Sequence, residues 1–243
     1  MPNRTEIRAV GEFAASRHGA FNLSQAAEHN LTRRDIAWMQ RVGMIEAMYK
    51  HVWRYIGHPN TAQQQLYAAT LAAHSAGSHF SAAALQHVDG FEQFPPMPEV
   101  LMHHADWTRI KGILVRRTRF LSTHDITVVD GIVCTNLART ACDIAPDITD
   151  TQLVRVVDDI QRRGFSMGWV MYRADKLNRM GRPGPPLVLD AASTTSASST
   201  PTAPNSNSSH DEHWVTLDAH GRRELPRATN QVGYSWRLSG LRR

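Results

Sequence analysis

Residues 31–43, LTRRDIAWMQRVG, restrict the fold more than any other stretch, because they read as a short basic helix with a well-marked start. Thr32 is a good N-cap. Asp35, three residues on, can reach back to the free amides in a capping box, and its charge suits the positive end of the helix. Ile36 and Met39 share one face at i, i+3 spacing, with Gln40 and Gly43 near its edge. The opposite face then presents Arg33, Arg34, Trp38 and Arg41, three guanidinium groups and an indole turned outward together. Such a helix suits insertion into a negatively charged partner, and residues 32–42 are read as a DNA recognition helix. Arginine on an exposed helix face is common, so the flanking segments must carry part of the inference.

Upstream, residues 5–18 place Ile7, Val10, Phe13 and Ala14 at helical spacing and end at Gly19, a natural C-cap. Ala20 and Phe21 form a brief extended piece. Residues 22–24 then cap a second short helix over 23–29, and the bend at 28–31 is short enough for a helix-turn-helix. Downstream, residues 44–49 and 52–56 are rich in β-branched and aromatic residues and flank a basic turn at Lys50 and His51. Three helices and a two-stranded ribbon make a winged helix over residues 1–57. Lys50, His51 and Arg54 would sit at or near the wing, where phosphate contacts position a protein on duplex DNA without reading sequence.

These residues carry a resemblance. Residues 21–57 resemble the N-terminal winged helix of AbiEi-type antitoxins, the regulatory component of type IV toxin–antitoxin systems, whose wing has the form Gly-x-Trp then Gly-x-Tyr. Ile45 departs from it at the first aromatic, and His51 at the turn glycine, the position that must accept positive φ. The resemblance continues through Gly77 to Leu85, Asp89-Gly90-Phe91, residues 125–132, Ala138-Arg139-Thr140 and Asp143, covering roughly residues 10–184. It implies an autorepressor of its own operon, binding its double-stranded operator, with a nucleotidyltransferase-like toxin as partner by contact or by opposed effect.

The chain has 243 residues and a formal charge of +5, with a pI near 9.6, which suits an anionic partner. Residues 1–57 hold eight Arg and Lys against five Asp and Glu, a net of +3, so clustering on one helix says more than total charge. No apolar run approaches the ~18 residues of a membrane span. Glu6 and Glu12 interrupt any leader-like segment, and Cys134 and Cys142 lack a CxxC partner. A cytoplasmic protein with two ordinary buried thiols, no metal site and no cofactor is the expectation.

Residues 60–181 read as a second, α+β domain. Two helices over 60–91 carry a small-residue stripe at Leu66, Ala69, Thr70 and Ala73, and His74, His79 and His87 are taken as surface or capping histidines. Residues 99–104, 112–119 and 126–134 are extended, the last a hairpin marked by Asp130-Gly131, so a three- or four-stranded antiparallel sheet is expected. Arg116, Arg117 and Arg119 would form its wet face, or else a second phosphate-contacting strip. Arg139 and Asp143, four apart, read as a helix-surface ion pair, and Asp158 and Asp159 as a solvated face paired with Arg162 and Arg163. Helices follow, with Leu153, Val156, Val157 and Ile160 inward on one and residues 166–180 forming the last.

From 182 onward a low-complexity linker and disordered tail is expected, since residues 190–209 are almost wholly Ala, Ser, Thr, Pro and Asn. Proteins similar to this one often end in a very-short-patch-repair-like endonuclease domain with a PD-(D/E)xK metal site. No Lys follows Lys176 here, so that pattern is missing and no catalytic residues are assigned. The fold expectation is α+β, a winged helix-turn-helix followed by a helix and antiparallel-sheet domain. The leading function is a sequence-specific DNA-binding regulator that is not an enzyme. The alternatives are an antitoxin or interaction module acting through residues 60–180, and the remnant of a nuclease.

Overall fold

Three capping boxes organise the N-terminal third. Asn3 with Glu6 opens α1 (Arg4–Ala15), and β1 (Ala20–Asn22) runs into α2 (Leu23–Glu28), which Asn22 caps with Gln25. Thr32 with Asp35 opens α3 (Arg33–Arg41). Each box satisfies amides that no helical carbonyl can reach, so each helix start is set within four residues of sequence. The strands β2 (Ile45–Tyr49) and β3 (Val52–Tyr55) follow, and an antiparallel sheet of order β1-β3-β2 lies against the helices. Val10, Ala14, Phe21, Ala26, Leu31, Ile36, Met39 and Ile45 fill the core between them. Gly19 joins α1 to β1 at φ 77°, where a Cβ would stand 2.5 Å from the Cβ of His58, so only glycine fits this corner.

The structure is a computed structural model describing residues 3–104, 109–178 and 182–198. Beyond β3 come α4 (Ala62–Ala73), β4 (Ala76–Gly77), α5 (His79–Leu85), β5 (Glu99–His103), β6 (Leu114–Thr118), β7 (Ile126–Val129) and β8 (Ile132–Thr135). Then follow α6 (Leu137–Ile144), α7 (Asp150–Arg162), α8 (Met167–Asn178) and α9 (Gly184–Ser198). Among the described residues the fold is therefore α+β.

The second sheet is mixed rather than antiparallel. Its order is β6-β5-β4-β8-β7, with β5 and β6 parallel, β4 and β8 parallel, and the remaining pairs antiparallel. The organising strand, β4, is two residues long, too short to show any periodicity, and its placement between β5 and β8 sets the two parallel pairings. The β7–β8 hairpin turns at Asp130-Gly131 with φ of 49° and 76°, the two positive values that an Asp-Gly turn accommodates.

The helix α4 is buried along almost its whole length and packs against both sheets. Ala20 and Val52 of the first sheet share one apolar cluster with Leu66, Tyr67, Leu71, Ile132 and Cys134. Polar contacts reinforce this junction: Gln64 Nε2 donates to the His18 carbonyl at 2.6 Å, and Gln25 Nε2 to the Tyr67 hydroxyl at 3.1 Å. The segments before and after residue 58 are thus joined by a common core.

Residues 184–198, expected as linker, instead form α9, which packs on α6, α7 and α8. Val188 and Ala192 are fully buried in the cluster that holds Leu153, Val156, Val157 and Ile160 of α7. The two prolines occupy the first turn, where no amide donor is missed, alanine favours continuation, and Ser193 and Thr194 return their hydroxyls to the carbonyls four residues back. Gly184 allows the docking, since a Cβ there would meet the Cys142 carbonyl oxygen at 1.8 Å. The tail beyond 198 lies outside the described residues, and among those described no helix is long and apolar enough to cross a membrane.

Candidate nucleic-acid interface

The start of α3 is tied down tightly. Thr32 Oγ1 accepts from the Asp35 amide at 3.3 Å, while an Asp35 carboxylate oxygen accepts from the Thr32 amide at 3.0 Å and its hydroxyl at 2.5 Å. These bonds to the charged form hold the Asp35 carboxyl below its ordinary range. Ile36 and Met39 are buried as their spacing requires. Arg33, Arg34 and Arg41 are exposed and, among the described residues, have neither an ion-pair nor a hydrogen-bond partner. Arg34 and Arg41 lie seven residues apart, two turns along one side of the helix.

Trp38 does not join them outside. It is half-buried and packs against the core of the N-terminal helices, because an indole at the edge of the apolar stripe gains more by covering it than by projecting into water. Beside it, Trp53 Nε1 on β3 donates to Gln40 Oε1 at 3.3 Å and links α3 to the sheet. A shallow hollow between α2 and the start of α3 is lined by Leu23, Ala27, Asn30, Leu31, Thr32 and Arg33.

Lys50 and His51 form the exposed β2–β3 turn. His51 stands at φ 62°, the left-handed conformation that glycine adopts freely and that histidine reaches more often than most residues. Its carbonyl accepts from the Leu23 amide at 3.1 Å, which holds the turn beside the first residue of α2. Arg54 is occupied elsewhere. Its side chain is only 15 % exposed, pairs with Glu46 across β2 and β3, and donates to the His58 carbonyl at 3.0 Å. The candidate surface thus reduces to Arg33, Arg34 and Arg41 on the capped helix, with Lys50 and His51 at the turn.

A buried polar network forms where sequence reasoning placed a surface ion pair. Arg139 is fully buried. Its Nε donates to both oxygens of Asp143 at 3.0 Å, its Nη1 to Asp125 at 3.3 Å and to the Phe120 carbonyl at 3.1 Å, and its Nη2 to Thr118 at 3.3 Å. Arg173 of α8 bonds the other oxygen of Asp125, and Arg182 lies 3.1 Å from Asp143. All eight residues of α6 are buried beneath α5, α8 and α9, so the i, i+4 pair never meets water. The crowding of Arg and Asp on a helix that also carries Leu137, Ala141 and Ile144 was the available signal.

The expected pair of Asp159 with Arg163 forms, but its carboxylate turns inward while the Arg162 side chain stays 63 % exposed. Asp159 is 9 % exposed, bonded to Arg163 at 2.8 Å and to the Asp89 amide at 3.2 Å, while Arg162 reaches over to Asp89 at 3.1 Å. Arg116 leaves the proposed strip to pair with buried Glu99 at 3.1 Å, whereas Arg117 and Arg119 stay exposed. His79 is buried, and burial pushes its pKa below the ordinary imidazole value. His74, His79 and His87 all adopt positive φ, at 48°, 49° and 52°. No protein-family model matches the chain, and no curated protein matches it.

Proposed function

We propose that the chain is a DNA-binding transcriptional regulator that reads duplex DNA with α3, its N-terminal third acting as a winged helix-turn-helix. The observation that carries this reading is the row of three exposed arginines on α3, none partnered among the described residues, on a helix whose start is locked by a capping box. Guanidinium groups can bond guanine O6 and N7 bidentately, each such contact giving about 1–3 kcal/mol of discrimination. Lys50, beside α2, supplies a phosphate contact. The resemblance to AbiEi-type antitoxins extends the proposal to autorepression of a type IV toxin–antitoxin operon, with a nucleotidyltransferase-like toxin as the functional partner.

Fluorescence anisotropy of the full chain on its own upstream DNA and on a scrambled duplex, at two salt concentrations, tests the proposal. The upstream sequence should be preferred, and the preference should survive higher salt. Equal binding to both, collapsing as salt rises, would reduce α3 to phosphate attraction.

A second reading, an antitoxin acting through residues 60–180, draws support from α8. There Trp169 and Tyr172 are 40 % and 50 % exposed with their rings 5.7 Å apart, and Phe165 just before the helix is 48 % exposed. Since residues before and after 58 share a core, its test uses the full chain. Trp169→Ser with Tyr172→Ser should abolish rescue from the toxin while leaving DNA binding intact.

A further inference from the structure

Among the described residues the two sheets end in the edge strands β1, β2, β6 and β7, and the first three are protected. β1 packs against α1, α2 and α4, with Ala20 and Phe21 buried. β2 exposes Glu46 and shifts register between Ala47 and Tyr49, and β6 carries Arg116 and Arg117. Covering elements, bulges and charges keep an edge from pairing with another chain, because an edge offers a row of unpaired amides and carbonyls. β7 carries neither charge nor bulge. Ile126, Thr127, Val128 and Val129 are all β-branched and run in regular register with β8, and Val128 is 62 % exposed.

The hairpin fixes which backbone groups face outward. Its Asp130-Gly131 turn closes at Val129 and Ile132, and the Asn136 amide donates to the Asp125 carbonyl at 2.9 Å, so residues 125, 127 and 129 bond across to β8. Residues 126 and 128 therefore turn their backbone groups away from the sheet. The Ile126 amide is taken by the Thr123 carbonyl, and the Asp130 carbonyl accepts from His18 Nε2 at 2.8 Å. Left without a partner among the described residues are the amide and carbonyl of Val128, the Ile126 carbonyl and the Asp130 amide.

We propose that β7 is an interface between two copies of this chain, paired edge to edge as antiparallel strands about a two-fold axis at Val128. In that register Val128 exchanges both of its bonds with its own counterpart, and each Asp130 amide meets the Ile126 carbonyl of the other copy. Every unpaired group on the edge is then satisfied. A second copy fits because the edge is its own complement: its free groups match under the two-fold, and the one charged residue in the paired stretch, Asp130, faces Ile126, so no like charges meet. The two five-stranded sheets become one continuous sheet. Four paired residues span only about 14 Å, which keeps the contact below the roughly 1,200 Å² of a stable interface and makes the dimer a reversible one. The edge uses no residue of α3 or α8, so its failure is a separate result from the failure of either reading above.

The test uses the full chain in sedimentation velocity over a wide range of concentration. The mean mass should rise from the 27.2 kDa of one chain toward twice that value, and amide exchange in residues 126–130 should slow over the same range. Val128→Lys sets two ammonium groups across the axis and should hold the protein at its single-chain mass. At 62 % exposure the position accepts the change without disturbing the core. An equal mixture of Val128→Lys with Val128→Glu should associate where neither does alone, because opposite charges then face each other across the strands. A wild-type mass that never rises, exchange in residues 126–130 that ignores concentration, Val128→Lys chains that associate as wild type does, or a mixture that stays monomeric would each overturn the proposal. Should a variant fail to fold, the wild-type mass and exchange still decide.

Discussion

Asp143→Asn measures how deeply the ionic network is embedded. The carboxylate accepts from Arg139 Nε on both oxygens at 3.0 Å and pairs with Arg182 at 3.1 Å. The amide keeps the shape, removes the charge, leaves Arg182 without its carboxylate and leaves Arg139 to share Asp125 with Arg173. Breaking a buried pair from one side costs about 3–5 kcal/mol, because the surviving charges stay desolvated. A solvent-exposed i, i+4 pair contributes only about 0.3–0.5 kcal/mol. With about 2–4 °C of melting temperature per kcal/mol for a chain of this size, the buried network requires a fall of roughly 6–20 °C, and a surface pair about 2 °C at most. Urea unfolding followed by circular dichroism, in chloride buffer at fixed pH, gives the free energy directly. A loss under about 1 kcal/mol would refute the argument, since it would mean that Asp143 is solvated in the folded chain.

Four further outcomes are expected. Arg34→Ala should relax operator preference by about 1–3 kcal/mol, whereas Lys50→Ala should weaken operator and random duplex alike and lower the salt slope by about 0.9; equal losses on both DNAs for both variants would remove the division of labour. Gly184→Val forces a Cβ against the Cys142 carbonyl 1.8 Å away, so α9 must shift, with destabilisation of about 1–3 kcal/mol and faster hydrogen exchange in residues 184–198. Burial lowers the His79 pKa in the folded state, so the unfolded chain binds the proton more readily. The stability His79 contributes should be fully present above the ordinary imidazole value of about 6.5 and lost as pH falls through the folded value, and His79→Gln should flatten that part of a urea-midpoint profile. Finally, burial pushes both thiols up to about 12, so Cys134 and Cys142 should resist iodoacetamide at pH 8 until urea unfolds the chain.

Features written within three or four residues were legible in the chain itself. The capping of α3 by Thr32 and Asp35, the burial of Ile36 and Met39, the Asp130-Gly131 turn and the inward face of α7 all follow from bonds or periodicities that close locally. The exposed arginines of the candidate interface were legible for the same reason. Trp38 and Arg54 were not, because each had a partner on another element, the N-terminal core for one and Glu46 with the His58 carbonyl for the other.

The ionic network lies furthest from what the chain order could reveal. Arg139 meets Asp143 four residues away, but its burial depends on Thr118, Asp125 and helices that arrive from much later in the chain. The pairing of the two-residue strand β4 and the docking of an Ala-rich α9 through Gly184 are decided likewise. Local bonds form wherever the residues allow them. Whether an arginine faces water or an aspartate, and whether a weak helix persists, depends on the surface brought against it, and that surface exists only once the distant segments have packed.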